Sequence, residues 1–421
     1  MSVYKVEKFA PYSRAEISVP ASKSLLNRAL LLAALSKDEV RLLCGDLCDD
    51  TRTLLGCLRK LGIRIDETVD GLLVFGCGGN IPCKSAVLDV GSAGTAARFL
   101  PVALAFCGGE YIFTASAQMK ERPMATLPLL ETLYVELQFL EKPGTFPFRI
   151  RSQGVRGGEI TVSTDESTQF ASAFLLTAGF CGTPFTLRLA GGRTQGSYIA
   201  MTLEMLSAFH IPYERHGDAI TVFPQTSAPA AYEVEPDLSS ACYFFALALL
   251  CRAKIFIHRA KLRTLQGDVQ FLKLLEQRGL KLTETGEGVL ADGTDVESFE
   301  GFNDEFTDFS DQTLTAAALA PFAATPSRLR GVGHIRLQEC DRIRAIVENL
   351  TALGVPAHSS GEDIFIEPAP VKAAEIETFS DHRVAMAFAL VGLKAGGVTI
   401  KNPECCKKTF ENYFKILSDI K

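Results

Sequence analysis

Six stretches of the chain repeat one order of residues, a short polar opening followed by a long run dominated by Ala and Leu. They read SKSLLNRALLLAALS from Ser22, SAGTAARFLPVALA from Ser92, STQFASAFLLTAG from Ser167, DLSSACYFFALALL from Asp237, DQTLTAAALAPFA from Asp311 and DHRVAMAFALVGL from Asp381. Successive openings lie 70 to 75 residues apart. So constant a period marks a repeat architecture, in which stacked units together bury faces that none could bury alone. The runs are apolar on every side, which predicts helices buried all round. Most repeats contain a second segment, such as TLLGCLRKLGIRI from Thr53, QFLKLLEQRGLKL from Gln270 or AIVENLTALGVPA from Ala345. There the apolar residues recur at helical spacing with charges between them, so these helices are expected to be half exposed. Strand-like runs such as Ile220 to Phe223 and Ile364 to Ile366 lie between the helices.

Each unit is therefore expected to be a helix pair joined to several strands, an α/β (α+β) arrangement with three units per half. A length of 421 residues fits two domains better than one core. The division expected is 1–19 with 233–421 as one domain and 20–232 as the other. The stretch PQTSAPAA, Pro224 to Ala231, has the composition of a linker between the third and fourth repeats. Whether the first strand region, Tyr4 to Ile17, pairs with the C-terminal half is left open by the pattern.

Composition narrows the class. The chain is 47% hydrophobic and 22% charged, ordinary for a globular protein. Its longest apolar candidate, Ala241 to Leu250, is about half of what a membrane span requires. Met1 to Pro11 carries Lys5, Glu7 and Lys8 without an apolar core, so no signal peptide and a cytoplasmic location are expected. Twelve cysteines form no framework, and none of the six histidines falls at zinc-ligand spacing to a cysteine pair. Reduced, mostly buried thiols and no metal are the expectation. A net charge of −6 argues against a nucleic-acid partner but is silent about local basic pockets.

Such pockets are suggested by the openings themselves. Ser, Thr, Asp and Gly suit helix N-caps, and unpaired N–H groups there attract phosphate or carboxylate. Lys23 and Arg28 flank the first opening, Arg98 follows the second and Arg383 lies in the sixth. Further basic residues cluster at Lys120 and Arg122, at Arg342 and at Lys407-Lys408. Together they predict a positive site for a small, multiply anionic substrate in a negative protein. Asp237, Asp311 and Asp381 begin repeat helices, and Glu339 precedes Asp341-Arg342. Acid/base work needs carboxylates near cations, which makes Asp311 and Glu339 the candidates.

These segments, taken in order, closely resemble the 5-enolpyruvylshikimate-3-phosphate (EPSP) synthase family from Val19 to Phe414. The motifs are Pro20-Ala21-Ser22-Lys23-Ser24 with Asn27-Arg28, Gly91-Ser92-Ala93-Gly94-Thr95, Lys120-Glu121-Arg122-Pro123, Ser167-Thr168-Gln169-Phe170, Asp237-Leu238-Ser239-Ser240, Glu339-Cys340-Asp341-Arg342, Asp381-His382-Arg383 and Lys408-Thr409-Phe410. Singly weak, they are specific as an ordered set. The resemblance implies two domains of three βαβαββ units closing over the substrates, a monomer, and no cofactor or metal. It also implies that Lys23, Ser24 and Arg28 bind shikimate 3-phosphate, with Ser167, Thr168 and Gln169 at its phosphate and Asp311 at its hydroxyl. Lys23, Gly94, Arg122, Gln169, Arg342, Arg383 and Lys408 would hold phosphoenolpyruvate. Asp311 would take the hydroxyl proton, while Glu339, with Lys23, would protonate the methylene carbon.

Some positions depart from the family pattern. Gln338 stands where Lys is usual, Gln195 near a usual phosphate-binding Ser, Ser92 and His334 where Asn is common, and Phe99 where Pro is frequent. These affect expected binding strength and leave the catalytic set intact, with an impaired family member as one alternative. The related UDP-N-acetylglucosamine enolpyruvyl transferases rely on a mobile-loop Cys, which Ala115 to Pro123 lacks. A clamp around nucleic acid would need basic outer helices, and these carry mixed charge, as at Glu276, Arg278 and Glu348.

Overall fold

The computed structural model describes residues 2–124, 126–165 and 167–420. The chain forms two compact units, Met1–Pro20 with Glu235–Lys421, and Ala21–Val234. It crosses between them at Pro20–Ala21 and at Val234–Glu235. The linker-like segment after Pro224 is instead tied down within its unit. There the Gln225 N–H donates to the Gly179 carbonyl at 2.9 Å, and the Ala228 N–H donates to Asp38 at 3.0 Å.

The Ala21–Val234 unit holds three four-stranded sheets built to one plan. In the first, Ala231–Glu233 lies parallel to Glu39–Leu43, which pairs antiparallel with Gly71–Phe75, itself antiparallel to Ile65–Thr68. The second uses Ser85–Asp89, Gly109–Thr114, Phe148–Ser152 and Glu136–Phe139 in the same order. Gly158–Ser163, Phe185–Ala190, Ala219–Val222 and Tyr213–His216 make the third. A parallel pair needs a long crossover, and the apolar repeat helix supplies it in the second and third sheets.

The other unit contains two such sheets, led by Arg14–Ile17 beside Lys254–His258 and by Asn303–Glu305 beside Ser327–Arg330. Its third sheet is smaller: Ala374–Ile376 runs parallel to Val398–Lys401, and Val3–Lys5 closes the other edge antiparallel. The N-terminal region that the pattern left open thus forms two strands, both paired with the C-terminal half.

Behind the sheets lie the repeat helices. Lys23–Leu35, Gly94–Cys107 and Gln169–Ala178 pack on one another, as do Leu238–Cys251, Thr313–Leu319 and His382–Ala395. Leu238–Cys251 is buried at every residue, as its all-round apolarity predicts. Each large aliphatic or aromatic side chain so buried stabilises by roughly 1.5–3 kcal/mol. The amphipathic helices Asp49–Lys60, Val269–Gln277 and Arg342–Ala352 bury only one face. Within each trio the polar openings meet. Asn27 donates to Thr95 at 2.6 Å in one unit, and Arg383 pairs with Asp311 at 2.8 Å in the other.

Candidate active site

In the Ala21–Val234 unit, Lys23 opens its helix and pairs with Asp50 at 3.1 Å. Asp50 lies in the first turn of the amphipathic helix of the same repeat and is buried, so the charge of Lys23 is anchored rather than solvated. Arg28, one turn further along, is fully buried. Its Nη1 donates to the Ser24 carbonyl at 2.8 Å, Nε to Thr202 at 3.0 Å and Nη2 to Ser172 at 3.1 Å. The rings of Phe99 and Tyr198 lie 5.5 and 5.7 Å from the guanidinium. All three acceptors are neutral, and burial pushes the group down to about 10, opposed only by Tyr198. The cation is thus held by neutral acceptors and two rings, with no carboxylate at these bonds.

Gly94 begins the second helix. A Cβ there would stand 3.2 Å from Arg122 Nη1 and 3.6 Å from Gln169 Oε1. The glycine therefore lets a guanidinium and a carboxamide approach the helix opening closely. Arg98 is buried beneath them, donating to the Gly94 carbonyl at 3.5 Å and the Pro123 carbonyl at 3.4 Å, which makes it a support. Ser167 accepts from the Gln169 N–H at 3.2 Å, and Thr168 is the residue preceding the helix. Of the openings expected to cap, Ser167 thus reaches the first N–H of its helix, whereas Ser22 places no side chain on its own. The departure Ser92 bonds Ser116 at 2.6 Å, and Lys120 pairs with Glu141 at 3.0 Å on the surface.

In the other unit the acidic residues matter most. Asp311 lies in the turn Thr307–Gln312, ahead of the helix, whose N-cap position is taken by Gln312. Its two oxygens accept from Arg342 Nη1 at 2.7 Å and Arg383 Nη2 at 2.8 Å. Asp381 caps His382–Ala395 through the Arg383 N–H at 2.9 Å and also grips Arg342, at 2.7 Å on Nε and 3.3 Å on Nη2. Burial works against the charge of Arg342, but Asp381 and then Asp311 outweigh it and hold the group well above the ordinary arginine range. Gln338 accepts from the same Nη1. Cys340 donates its thiol to Asp381 at 3.6 Å, and burial followed by that carboxylate pushes the thiol up. Glu339 pairs with Lys408 at 2.6 Å, both nearly buried. His334 bonds Ser310, beside Asp311, at 3.0 Å.

The expected site residues thus fall into two sets: Lys23, Ser24, Arg28, Gly94, Arg122, Ser167, Thr168 and Gln169 in one unit, and Asp311, Glu339, Arg342, Arg383 and Lys408 in the other. Sequence reasoning passed over Asp50 and Asp268, the buried carboxylates that open amphipathic helices. Asp50 follows Lys23 by 27 residues, Asp268 follows Ser239 by 29 and Arg342 follows Asp311 by 31, and each pair is bonded. Among the described residues no three His, Cys, Asp or Glu side chains form a metal-binding group, and no helix is long and apolar enough to cross a membrane.

Repeated βαβαββ units carrying guanidinium and ammonium groups at gathered helix openings define a protein that handles small polyanions. The model of one family, EPSP synthase (3-phosphoshikimate 1-carboxyvinyltransferase), matches residues 11–417. A 3-phosphoshikimate 1-carboxyvinyltransferase of Nostoc punctiforme is 37% identical over 405 residues, 95% of each chain. One from Methanosphaerula palustris is 34% identical over 406 residues, again covering 95% of each. An EPSP synthase structure from Acinetobacter baumannii shares the fold at a TM-score of 0.80 and 22% identity, covering 100% of this chain and 98% of that one. The chain belongs to the EPSP synthase family.

Proposed function

We propose that the chain transfers the enolpyruvyl group of phosphoenolpyruvate to the 5-hydroxyl of shikimate 3-phosphate, with release of phosphate. The observation that carries the assignment of roles is Asp311. One oxygen accepts from Arg342 and the other from Arg383, which fixes the carboxylate beside the two cations that would hold phosphoenolpyruvate. Lys23, Ser24, Arg28, Ser167, Thr168 and Gln169 take shikimate 3-phosphate. Gly94, Arg122, Arg342, Arg383 and Lys408 take phosphoenolpyruvate, with Lys23 and Gln169 reaching both.

The chemistry balances as addition and elimination. Glu339, assisted by Lys23, gives a proton to the methylene carbon, and C2 gains cationic character. The hydroxyl oxygen bonds to C2 while its proton passes to Asp311. The resulting ketal returns a methyl proton to the Glu339 carboxylate as phosphate leaves by C–O cleavage, carrying off the proton held on Asp311, which restores the double bond. Both substrates are polyanions, so fixed cations must offset their repulsion before oxygen can reach carbon. Because the C–O bond breaks and no phosphoryl group moves, the proposal needs no metal or cofactor. In the same proposal the protein acts in the cytoplasm as a monomer; light scattering on the purified chain would check the oligomeric state.

The test is phosphate release from phosphoenolpyruvate with shikimate 3-phosphate or UDP-N-acetylglucosamine as acceptor, in EDTA, beside Asp311→Ala. Release with the shikimate ester alone, lost in the variant, is the expected result. Release only with the nucleotide sugar would overturn it. The family match and the relatives' names favour the first acceptor.

A further inference from the structure

Asp268 is a buried carboxylate to which the reaction above assigns no part. It stands at the N-cap of Val269–Gln277 yet makes no side-chain bond to that helix. Its oxygens are turned to two other elements. Oδ2 accepts from Ser239 Oγ at 2.9 Å, and Oδ1 accepts from Gln312 Nε2 at 2.7 Å. Gln312 follows Asp311 directly and also reaches the Ser239 carbonyl at 3.4 Å and Thr315 Oγ1 at 2.9 Å. The turn carrying Asp311 is therefore pinned to the fourth repeat through one carboxylate.

We infer that Asp268 is a positioning residue for Asp311: through Gln312 it holds the turn that presents Asp311, and it sets a second negative charge near that carboxylate. The inference rests on the proposed role of Asp311 as proton acceptor. Among the surrounding charged groups, Asp311 and Arg383 act on Asp268 directly, while Asp237 acts on Cys242, the buried thiol that Asp268 also influences. Burial, and then Asp311, push Asp268 up to about 6, against Arg383 and the bonds from Gln312 and Ser239. The repulsion is mutual, so an ionised Asp268 makes proton uptake by Asp311 more favourable. The hydroxyl proton still goes to Asp311, and Asp268 exchanges nothing with substrate.

Two substitutions separate charge from position. Asp268→Asn removes the charge and keeps an oxygen for Gln312, because the Ser239 hydroxyl can turn and accept instead. Gln312→Met removes the bond and keeps the carboxyl group. Phosphate release at saturating substrate is followed from about pH 5 to pH 9, across the range of tuned acids and bases. Asp268→Asn is expected to move the acid limb of kcat down by about one pH unit and lower the plateau about tenfold, with both KM values within about twofold. Gln312→Met is expected to lower kcat about tenfold without moving the limb. An unchanged limb and plateau in Asp268→Asn, or an unchanged kcat in Gln312→Met, would overturn the inference. If Asp268→Asn fails to fold, Gln312→Met decides. Asp311→Asn is run beside them: retained turnover there removes the acceptor role of Asp311 itself, whereas its loss with silent Asp268→Asn removes only this inference.

Discussion

Asp381 accepts from Arg342 on both Nε and Nη2, at 2.7 and 3.3 Å, where the two side chains are 0% and 2% exposed. Truncating one member of such a pair leaves the other charged and unsolvated, which costs about 3–5 kcal/mol. Arg342→Ala is therefore expected to lower the urea unfolding midpoint strongly as well as to abolish turnover. Arg342→Lys keeps the charge but cannot span both oxygens, so it should recover stability only in part. Equilibrium unfolding of the two variants checks this, and wild-type stability in Arg342→Ala would refute it.

Gly94 is the second prediction. Alanine is the better helix former, yet its Cβ would press on Arg122 Nη1 at 3.2 Å. Gly94→Ala should raise the KM for phosphoenolpyruvate about tenfold, roughly one displaced charge-assisted bond, with little change in thermal midpoint. Initial-rate kinetics with each substrate varied in turn will show whether the effect is confined to that substrate.

Glu339 and Lys408 form the third. Glu339→Gln keeps the shape and an acceptor for Lys408 but has no proton to give. Turnover should fall by about 10²–10⁴, the usual contribution of a positioned acid or base, while the fold is retained. Single-turnover measurement of phosphate release separates this loss from weakened binding.

Asp268 makes stability depend on pH. Its folded value of about 6 lies above the ordinary aspartate value of 3.8, so the folded state binds the proton more tightly. This contribution is fully present below pH 3.8 and is lost as pH rises through about 6. The loss is about 3 kcal/mol at most. Asp268→Asn, which does not titrate, should gain on the wild type across that window in parallel urea titrations. A constant difference at every pH would contradict the assignment.

Gln338 separates this chain from the family's usual Lys. It accepts from Arg342, whereas an ammonium could only repel that guanidinium. Gln338→Lys should lower the substrate-free thermal midpoint, and added phosphoenolpyruvate should restore part of the loss by supplying the missing acceptor. Differential scanning fluorimetry with and without the ligand reads both effects.

Much of this architecture is legible along the chain. The spacing of 70 to 75 residues, with helices apolar all round followed by amphipathic ones, determined the repeat, its count and its buried layer. That information is local: solvent sorts helical faces by polarity wherever a helix lies. The motifs likewise named Lys23, Arg122, Asp311, Glu339, Arg342, Arg383 and Lys408 as the residues to watch. Their partners were beyond the pattern. Asp50 and Asp268 look like ordinary helix caps in sequence, and only packing turns their carboxylates to Lys23 and Gln312. The pairing of Val3–Lys5 with Val398–Lys401 joins segments almost 400 residues apart, and a three-residue strand carries no mark of its partner. Tertiary structure alone decided these, because a buried charge takes its neighbours from whatever the fold brings within a few ångströms, not from its position in the repeat.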